Sequence, residues 1–494
     1  MKADTPSRQR ARARPLFLSL VAFACFAIGT AVHASDQRNF IVIFIDDLGY
    51  GDIGPFGSTL NRTPNLDRMA EEGMKLTDFY AAASVCTPSR AALMTGSYAQ
   101  RVDMGNNALP ETGNDLVLFP GEPKGLNPSE ITIADLLKDA GYATACIGKW
   151  HLGDQPQWLP REHGFDTYFG IPYSNDMGVG NTSWNYPPLP VIDERAVVEQ
   201  EPDQGMLTKR YNEKALEFIE ANQDKPFFLY LPHTMVHLPR FASPAFEGKS
   251  NNGLYGDIVE ELDWSVGQIL DTLKDLKLDE RTTVFFFSDN GGTRETDDYK
   301  VSNAPLRGRK GSMFEGGLRV CSLAWAPGLI PAGSTSHEIV TSMDLLPTFA
   351  NLSEGQVPFD RIIDGIDVTR ILKGDPKATG LRKSFYYYRA SVLYAVRSGP
   401  WKLFVKDYRY SGEVVPQGTL YNLRQDIGET TDRSGEFPEV VQRIQTIAAK
   451  ARGELGDGPD NPGSQVRRAA YIDLEQARTL TERPQPWSKV MRRR

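Results

Sequence analysis

The sequence predicts an α/β protein, with a large layered domain followed by a smaller α+β domain. Short apolar, strand-like runs alternate with segments of helical spacing up to about Gly374. Four of those runs end in polar, ligand-like residues. Beyond Gly374 the chain becomes rich in Tyr, Val and Phe around tight turns. With 494 residues there is room for two domains and a large core.

The elements follow in chain order. Arg8, Arg10, Arg12 and Arg14 form a basic start, Leu16 to Ile28 is an apolar stretch too short to span a bilayer, and Val32-His33-Ala34 offers a cut after Ala34. Residues 1–34 therefore read as a signal peptide, and the protein as exported, periplasmic or secreted, with no membrane contact after cleavage. No arginine pair is adjacent there, which points to the general secretory route. Phe40 to Ile45 is a buried-strand run. Thr63-Pro64 starts a helix with Leu66, Met69 and Gly73 on one side. Ile133, Leu136 and Leu137 have helical spacing, closed by Gly141, and Tyr142 to Ile147 is the next strand. Phe227 to Leu231 is another strand. Val259, Leu262, Val266, Ile269 and Leu273 mark a long amphipathic helix before strands at Thr283 to Ser288 and Val320 to Trp325. Residues 35–374 make the larger domain and 375–494 the smaller, with hairpins over Lys383 to Lys406, a helix over Pro438 to Ala451, a loop from Gly453 to Gly463 and a polar tail.

The predicted leader carries five basic residues and one acid, so its loss takes the formal net charge from −8 to −12. Such a chain has no global attraction to nucleic acid, and any anion must be bound by local cations. Three cysteines remain: Cys86, Cys146 and Cys321. That is too few for a disulfide framework, and Cys146 and Cys321 lie in apolar runs where they pack as small hydrophobes or form one bridge.

Phe40–Ile45 runs into Asp46-Asp47, Tyr142–Ile147 into Gly148-Lys149-Trp150-His151, Phe227–Leu231 into His233 and His237, and Thr283–Ser288 into Asp289-Asn290-Gly291-Gly292. In α/β sheets ligands sit beyond the carboxyl ends of the strands, so four such endings on one rim would build a site. Asp46, Asp47, Asp289 and Asn290 are hard oxygen donors that suit calcium or magnesium rather than zinc. His233 and His237 stand four apart, a zinc-binding spacing on a helix, but Pro232 and Pro239 argue against a helix there. Arg90, Lys149, Lys310, His151 and His237 supply the cations, Lys310 within the glycine-rich run Gly308 to Arg319.

The most informative run is Ser84-Val85-Cys86-Thr87-Pro88-Ser89-Arg90-Ala91-Ala92-Leu93-Met94-Thr95-Gly96. It predicts a turn feeding a helix, with Pro88 at the first helical position and Cys86 near the positive helix end, a place that favours an anion and activates a nucleophile. Cys-x-Pro-x-Arg with Thr-Gly downstream resembles the signature of the type I sulfatases. Asp46 to Asp52, Gly148 to Gly153, Asp289-Asn290-Gly291 and Gly308 to Arg319 match that family's motifs in order. Gly170 to Met177 is similar to the arylsulfatase A and N-acetylgalactosamine-6-sulfatase branch, and Leu420-Tyr421-Asn422-Leu423, Asp426 and Glu429 resemble the family's ending.

The resemblance implies an alkaline-phosphatase-like fold with a large mixed sheet flanked by helices, and an antiparallel sheet in the smaller domain. It implies that a maturation enzyme oxidises Cys86 to formylglycine (3-oxoalanine), whose hydrate is the nucleophile. Ca2+ would be held by Asp46, Asp47, Asp289, Asn290 and the modified Cys86. Arg90 and Lys149 would hold the geminal diol and the sulfate, and His151 would be the base that collapses the diol. His237, Lys310 and Ser174 would contact the sulfate or the leaving oxygen. One hydroxyl of the diol attacks sulfur, and deprotonation of the other expels sulfate and restores the aldehyde. The substrate is then a sulfate monoester, an aryl sulfate or a sulfated sugar. Two alternatives remain: a phosphodiesterase or phosphonate hydrolase on the same scaffold, and a catalytically silent binder of sulfated glycans.

Overall fold

Asn39–Ile45 forms the central strand, β1, and all seven residues are buried. The computed structural model describes Met1 and residues 37–107, 116–181, 186–296, 298–458 and 460–480. The expected signal peptide and the end of the expected polar tail lie outside the described residues. Residues on β1 alternate between two faces because successive strand side chains point to opposite sides. Phe40, Val42 and Phe44 enter one apolar cluster, and Ile41, Ile43 and Ile45 enter another.

Ten strands make the large sheet. After β1 come β2 (Met74–Leu76), β3 (Ala143–Ile147), β4 (Thr167–Gly170), β5 (Pro190–Asp193), β6 (Ala196–Gln200), β7 (Phe227–Pro232), β8 (Thr282–Ser288), β9 (Ser322–Trp325) and β10 (Ser334–Ser336). Their order across the sheet is β10-β2-β9-β8-β1-β7-β3-β4-β5-β6. The four strands with polar endings, β8, β1, β7 and β3, are consecutive and parallel, with Ile45 opposite Ser288 and Phe44 opposite Pro232. Their carboxyl ends therefore share one edge. β9 runs antiparallel to β8, so the sheet is mixed, as the fold class expected requires.

Helices cover both faces. On one side lie α2 (Cys86–Thr95), α3 (Ile133–Asp139) and α6 (Leu345–Leu352), with Phe349 stacked on Phe40 at 4.3 Å. On the other lie α1 (Pro64–Glu72), α4 (Leu207–Ala221) and α5 (Gly253–Asp275). No strand-by-strand reading anticipated α4, although Leu207, Tyr211, Ala215, Phe218 and Ile219 have helical spacing and are its buried face. The short strands β4, β5 and β6 were likewise unread. Among the described residues no helix is long and apolar enough to cross a membrane.

The later residues form a four-stranded antiparallel sheet, β11 (Phe385–Arg389), β12 (Val392–Ser398), β13 (Trp401–Phe404) and β14 (Leu420–Asn422), covered by α7 (Pro438–Leu455). The helix runs past Ala451 into the expected loop and stops at Gly456. Tyr80, Met313 and Phe314 join the same apolar cluster, so this sheet rests on the segment that follows Lys310. A buried charge cluster reinforces the contact. Lys402 lies 3.1 Å from Glu315 and 2.7 Å from Glu429, and the Glu429 carboxylate accepts the Glu315 amide at 2.7 Å. Burial opposes the charge on Glu315, but Lys402, Arg397 and Arg319 pull its carboxyl down to about 2.

Cys146 and Cys321 are buried free thiols, which resolves the open question of a bridge between them. His163 and His233 are buried without hydrogen-bond partners on either ring nitrogen, and burial pushes both down to about 3. An unfolded histidine takes up its proton near 6.5. The neutral rings thus contribute stability that is full above about pH 6.5 and is lost as pH falls toward 3. At pH 5 each is expected to cost about 2 kcal/mol relative to pH 7. Denaturant titrations at the two pH values should show a smaller acid loss in His163→Phe, and an unchanged loss would place the acid sensitivity elsewhere.

Candidate active site

The four strand ends deliver their side chains to one place because the hydrogen-bond ladder continues past the strands. The Asp289 amide donates to Ile45 O at 2.8 Å, the Lys149 amide to Pro232 O at 2.8 Å, and the Val236 amide to Asp46 O at 2.9 Å. Gly148, at φ 132, sits where a Cβ would fall 2.0 Å from Pro232 O. This close approach explains the glycine before Lys149. A Cβ on Gly291 would lie 1.7 Å from Gly316 O, which brings the Asp289-Asn290 turn against the glycine-rich segment. Asp47 and His151 adopt positive φ values of 68° and 64°. Such a backbone is uncommon outside glycine and here turns the chain sharply at the rim.

Cys86 opens α2, and the whole helix is buried. Pro88 is the third helical residue, not the first as the sequence suggested. The exchange is free of cost because none of the first helical N–H groups has an intrahelical partner. The Cys86 thiol donates to Asp46 Oδ1 at 3.4 Å, and Lys310 Nζ donates to its Sγ at 3.6 Å. Burial, then Asp46, pushes the thiol well above its ordinary range despite Lys149 and Lys310. For the thiol itself, burial and a carboxylate outweigh the helix end.

Arg90 is fully buried one turn along α2. Its guanidinium donates to Asp46 Oδ2 at 3.3 Å, Asp289 Oδ2 at 3.0 Å and Lys149 O at 2.8 Å. Lys149 Nζ donates to Asp46 Oδ2 and, at 3.1 Å, to Ser174 Oγ. Burial raises the Asp46 carboxyl, but Lys149, His237, Arg90 and Lys310 together hold it well below the usual range. Lys310 Nζ reaches both Asp47 oxygens, at 2.7 and 2.8 Å. Burial opposes its charge, yet Asp47 and Cys86 raise it well above the ordinary lysine value.

His151 Nε2 lies 2.8 Å from Leu118 O, while Nδ1 is buried with no partner. Burial, then Lys149 and Arg90, pushes the imidazole well below its ordinary value. A neutral ring that donates from Nε2 leaves Nδ1 as a free acceptor. His237 Nδ1 contacts Leu238 O at 2.5 Å, Asn175 Oδ1 at 3.2 Å and Ser174 Oγ at 3.4 Å, and Nε2 lies 3.6 Å from Asp47. The chain around it is not helical, and His233 is sequestered beside Tyr211, so the two histidines share no zinc site.

The structure thus brings together Asp46, Asp47, Cys86, Arg90, Lys149, Ser174, His237, Asp289, Asn290 and Lys310. Ligand atoms of Asp46, Asp47, Cys86 and His237 lie within 4.8 Å of one another. His237 joins that group, which sequence reasoning had placed with the substrate. Asp289 is tied in through the Asp47 amide, which it accepts at 3.2 Å, and through Arg90. Asn290 Nδ2 donates to Asp47 at 2.7 Å, while its Oδ1 is buried without a partner. Three carboxylates and an orphaned amide oxygen are hard donors that fit a metal cation.

Sequence reasoning missed three supporting groups. Asn175 backs His237, Leu118 O holds His151, and Thr87 Oγ1 accepts the Leu118 amide at 3.1 Å. Thr87 and Asn175 stood inside recognised runs, but nothing in a sequence marks the carbonyl of Leu118.

Residues 38–355 match the sulfatase family. The chain belongs to that family. This sulfatase is 38% identical over 444 residues to N-acetylgalactosamine-6-sulfatase of Mus musculus, an alignment covering 87% of this chain and 83% of the relative. It is 38% identical over 478 residues to arylsulfatase A of Bos taurus, covering 88% and 92%. Among solved structures, the PsFucS1 sulfatase from Pseudoalteromonas sp. superposes with a TM-score of 0.73 at 27% identity, covering 84% of this chain and 91% of that one. The sulfatase therefore sits in the type I family, in the arylsulfatase A and N-acetylgalactosamine-6-sulfatase branch, with the alkaline-phosphatase-like fold that its motifs implied.

Proposed function

We propose that this sulfatase hydrolyses sulfate monoesters, aryl sulfates or sulfated sugars, after Cys86 has been oxidised to formylglycine by a maturation enzyme. The observation that carries the reading is Cys86 at the start of a buried helix, between Asp46 and Lys310 and one turn from Arg90. A buried, protonated thiol makes a poor nucleophile, whereas the hydrate of an aldehyde offers one oxygen for attack and a second for release.

Arg90, Lys149 and Lys310 put three cations around that position. They neutralise the nonbridging oxygens of a sulfuryl group where its charge is spread. Ser174 and His237 lie beyond Lys149, where the ester oxygen would emerge. Lys310, held protonated, can give that oxygen its proton. His151, neutral with Nδ1 open, accepts the proton that frees sulfate.

Asp46, Asp47, Asp289 and Asn290, with the modified Cys86, would hold calcium, which supplies a fixed divalent charge for the sulfate and the nucleophile. Export with cleavage after Ala34 belongs to the same reading, and the acidic chain has no use for nucleic acid.

Rates on 4-nitrophenyl sulfate and 4-nitrophenyl phosphate test the reaction class. Sulfate ester turnover proportional to formylglycine content is expected, as counted by intact mass of the Cys86 peptide. Faster cleavage of phosphate esters or phosphonates would assign the alternative hydrolase, and an unmodified thiol throughout native material would assign a binder.

A further inference from the structure

Asp154 is a buried acid with no part in the reaction described above. It follows His151 by three residues and is 3% exposed. Among the described residues no cation pairs with it, and burial pushes its carboxyl up to about 7 against the hydrogen bonds it accepts. An acid buried without a cation is costly, so its hydrogen bonds are the compensation that keeps it there.

Those bonds lead to the active site. Asp154 Oδ2 accepts the Gly121 amide at 2.7 Å, and Oδ1 accepts from Gln155 Nε2 at 3.1 Å. Gln155 is fixed in turn by Arg478, whose carbonyl accepts from Nε2 at 2.8 Å and whose amide donates to Oε1 at 3.2 Å. Gly121 ends the short segment that begins at Leu118, and the Glu122 amide closes a turn on Phe119 O at 3.3 Å. The segment is pinned at its first residue by Thr87 Oγ1 and at its last by Asp154. Leu118 O then lies 2.8 Å from His151 Nε2, while Nδ1 has no partner. A neutral ring that keeps its hydrogen on Nε2 has Nδ1 open as an acceptor. A ring released from Leu118 O can carry the hydrogen on Nδ1 and accept nothing there.

We infer that Asp154 is a positioning residue for His151: by holding the Gly121 amide it fixes the turn that presents Leu118 O, and so the tautomer that leaves Nδ1 open. The inference rests on the sulfate ester reading above, in which Nδ1 takes the proton of the remaining hydroxyl. The electron pair left behind closes the carbonyl, and sulfate departs with its oxygen and the pair of the broken C–O bond. Asp154 touches neither the substrate nor the reacting atoms. Its loss should slow the release of sulfate and spare its capture.

The test uses the full, formylglycine-bearing chain carrying isotope-labelled histidine. Asp154→Leu keeps the heavy-atom shape of the side chain and removes both acceptors, and Asp154→Ala is a second variant of the same kind. Asp154→Asn keeps an acceptor for the Gly121 amide and serves as the rescue, and His151→Ala assigns the ring signals. By NMR the wild-type His151 ring should give one protonated and one bare nitrogen. In Asp154→Leu the two signals should draw together, and in Asp154→Asn they should part again. With 4-nitrophenyl sulfate, kcat should fall about 10-fold or more in Asp154→Leu while kcat/KM stays within about threefold. The stalled protein should gain the mass of one sulfuryl group, as should His151→Ala. Unmoved ring signals in a folded Asp154→Leu or Asp154→Ala protein, an equal fall in kcat and kcat/KM, or sulfated protein in His151→Ala alone overturns the inference. Moved ring signals with sulfated protein in neither variant overturn the sulfate release assigned to His151 and leave the positioning standing.

Discussion

Cys86→Ser is expected to lose steady-state turnover by at least about 10³-fold while the fold survives. The hydroxyl is close in size to the thiol and can still donate to Asp46 Oδ1, so α2 keeps its packing. Arg90, Lys149 and Lys310 would remain to bind sulfate. A serine oxygen that captured the sulfuryl group would carry it as an ordinary ester, with no second hydroxyl to expel it. The variant should therefore show at most one turnover per site, a protein mass increased by one sulfuryl group, and a native circular dichroism spectrum. A serine enzyme running at the full rate would refute the formylglycine mechanism.

Asp289→Ala should lower bound metal and rate together, the rate by about 10²-fold or more. Asp289 accepts from Arg90 at one oxygen and from the Asp47 amide at the other. Burial and Asp46 push its carboxyl up to about 7, with Arg90 opposing. Asp46, Asp47 and Asp289 thus crowd negative charge that a divalent cation would relieve. Because alanine also strips Arg90 of a buried partner, Asp289→Asn is the companion variant: it keeps an acceptor and removes only the charge. Elemental analysis of both should show reduced metal content. Unchanged content in the asparagine and alanine forms would remove Asp289 from the cage.

Much of this architecture was legible because the chemistry stands at strand ends. A run such as Phe40 to Ile45 followed by Asp-Asp carries both its element and its ligand in consecutive residues, and four such runs lie side by side. Cys86, Arg90 and Lys310 were legible through motif and residue type. The position of Pro88 was misjudged because proline is tolerated throughout the first turn, so it does not fix where that turn begins. The contact of Cys86 with Asp46 is not legible because Asp46 lies 40 positions away in sequence, and only folding makes them neighbours. Leu118 acts through its backbone, which every residue shares. The short strands β4 to β6 lack the length that makes periodicity readable.

The Lys402 cluster bears on how the molecule is made. Glu315 has Arg319 one helical turn on, but the buried lysine that joins it to Glu429 comes 87 residues later, and Glu429 later still. A chain ended before Lys402 would keep the Arg319 partner of Glu315 and lose the buried lysine between the two glutamates. The glycine-rich segment beside it, and with it Lys310, is thus braced by residues of the smaller sheet. A chain cut before Lys402 is therefore expected to hold Lys310 less firmly over Asp47.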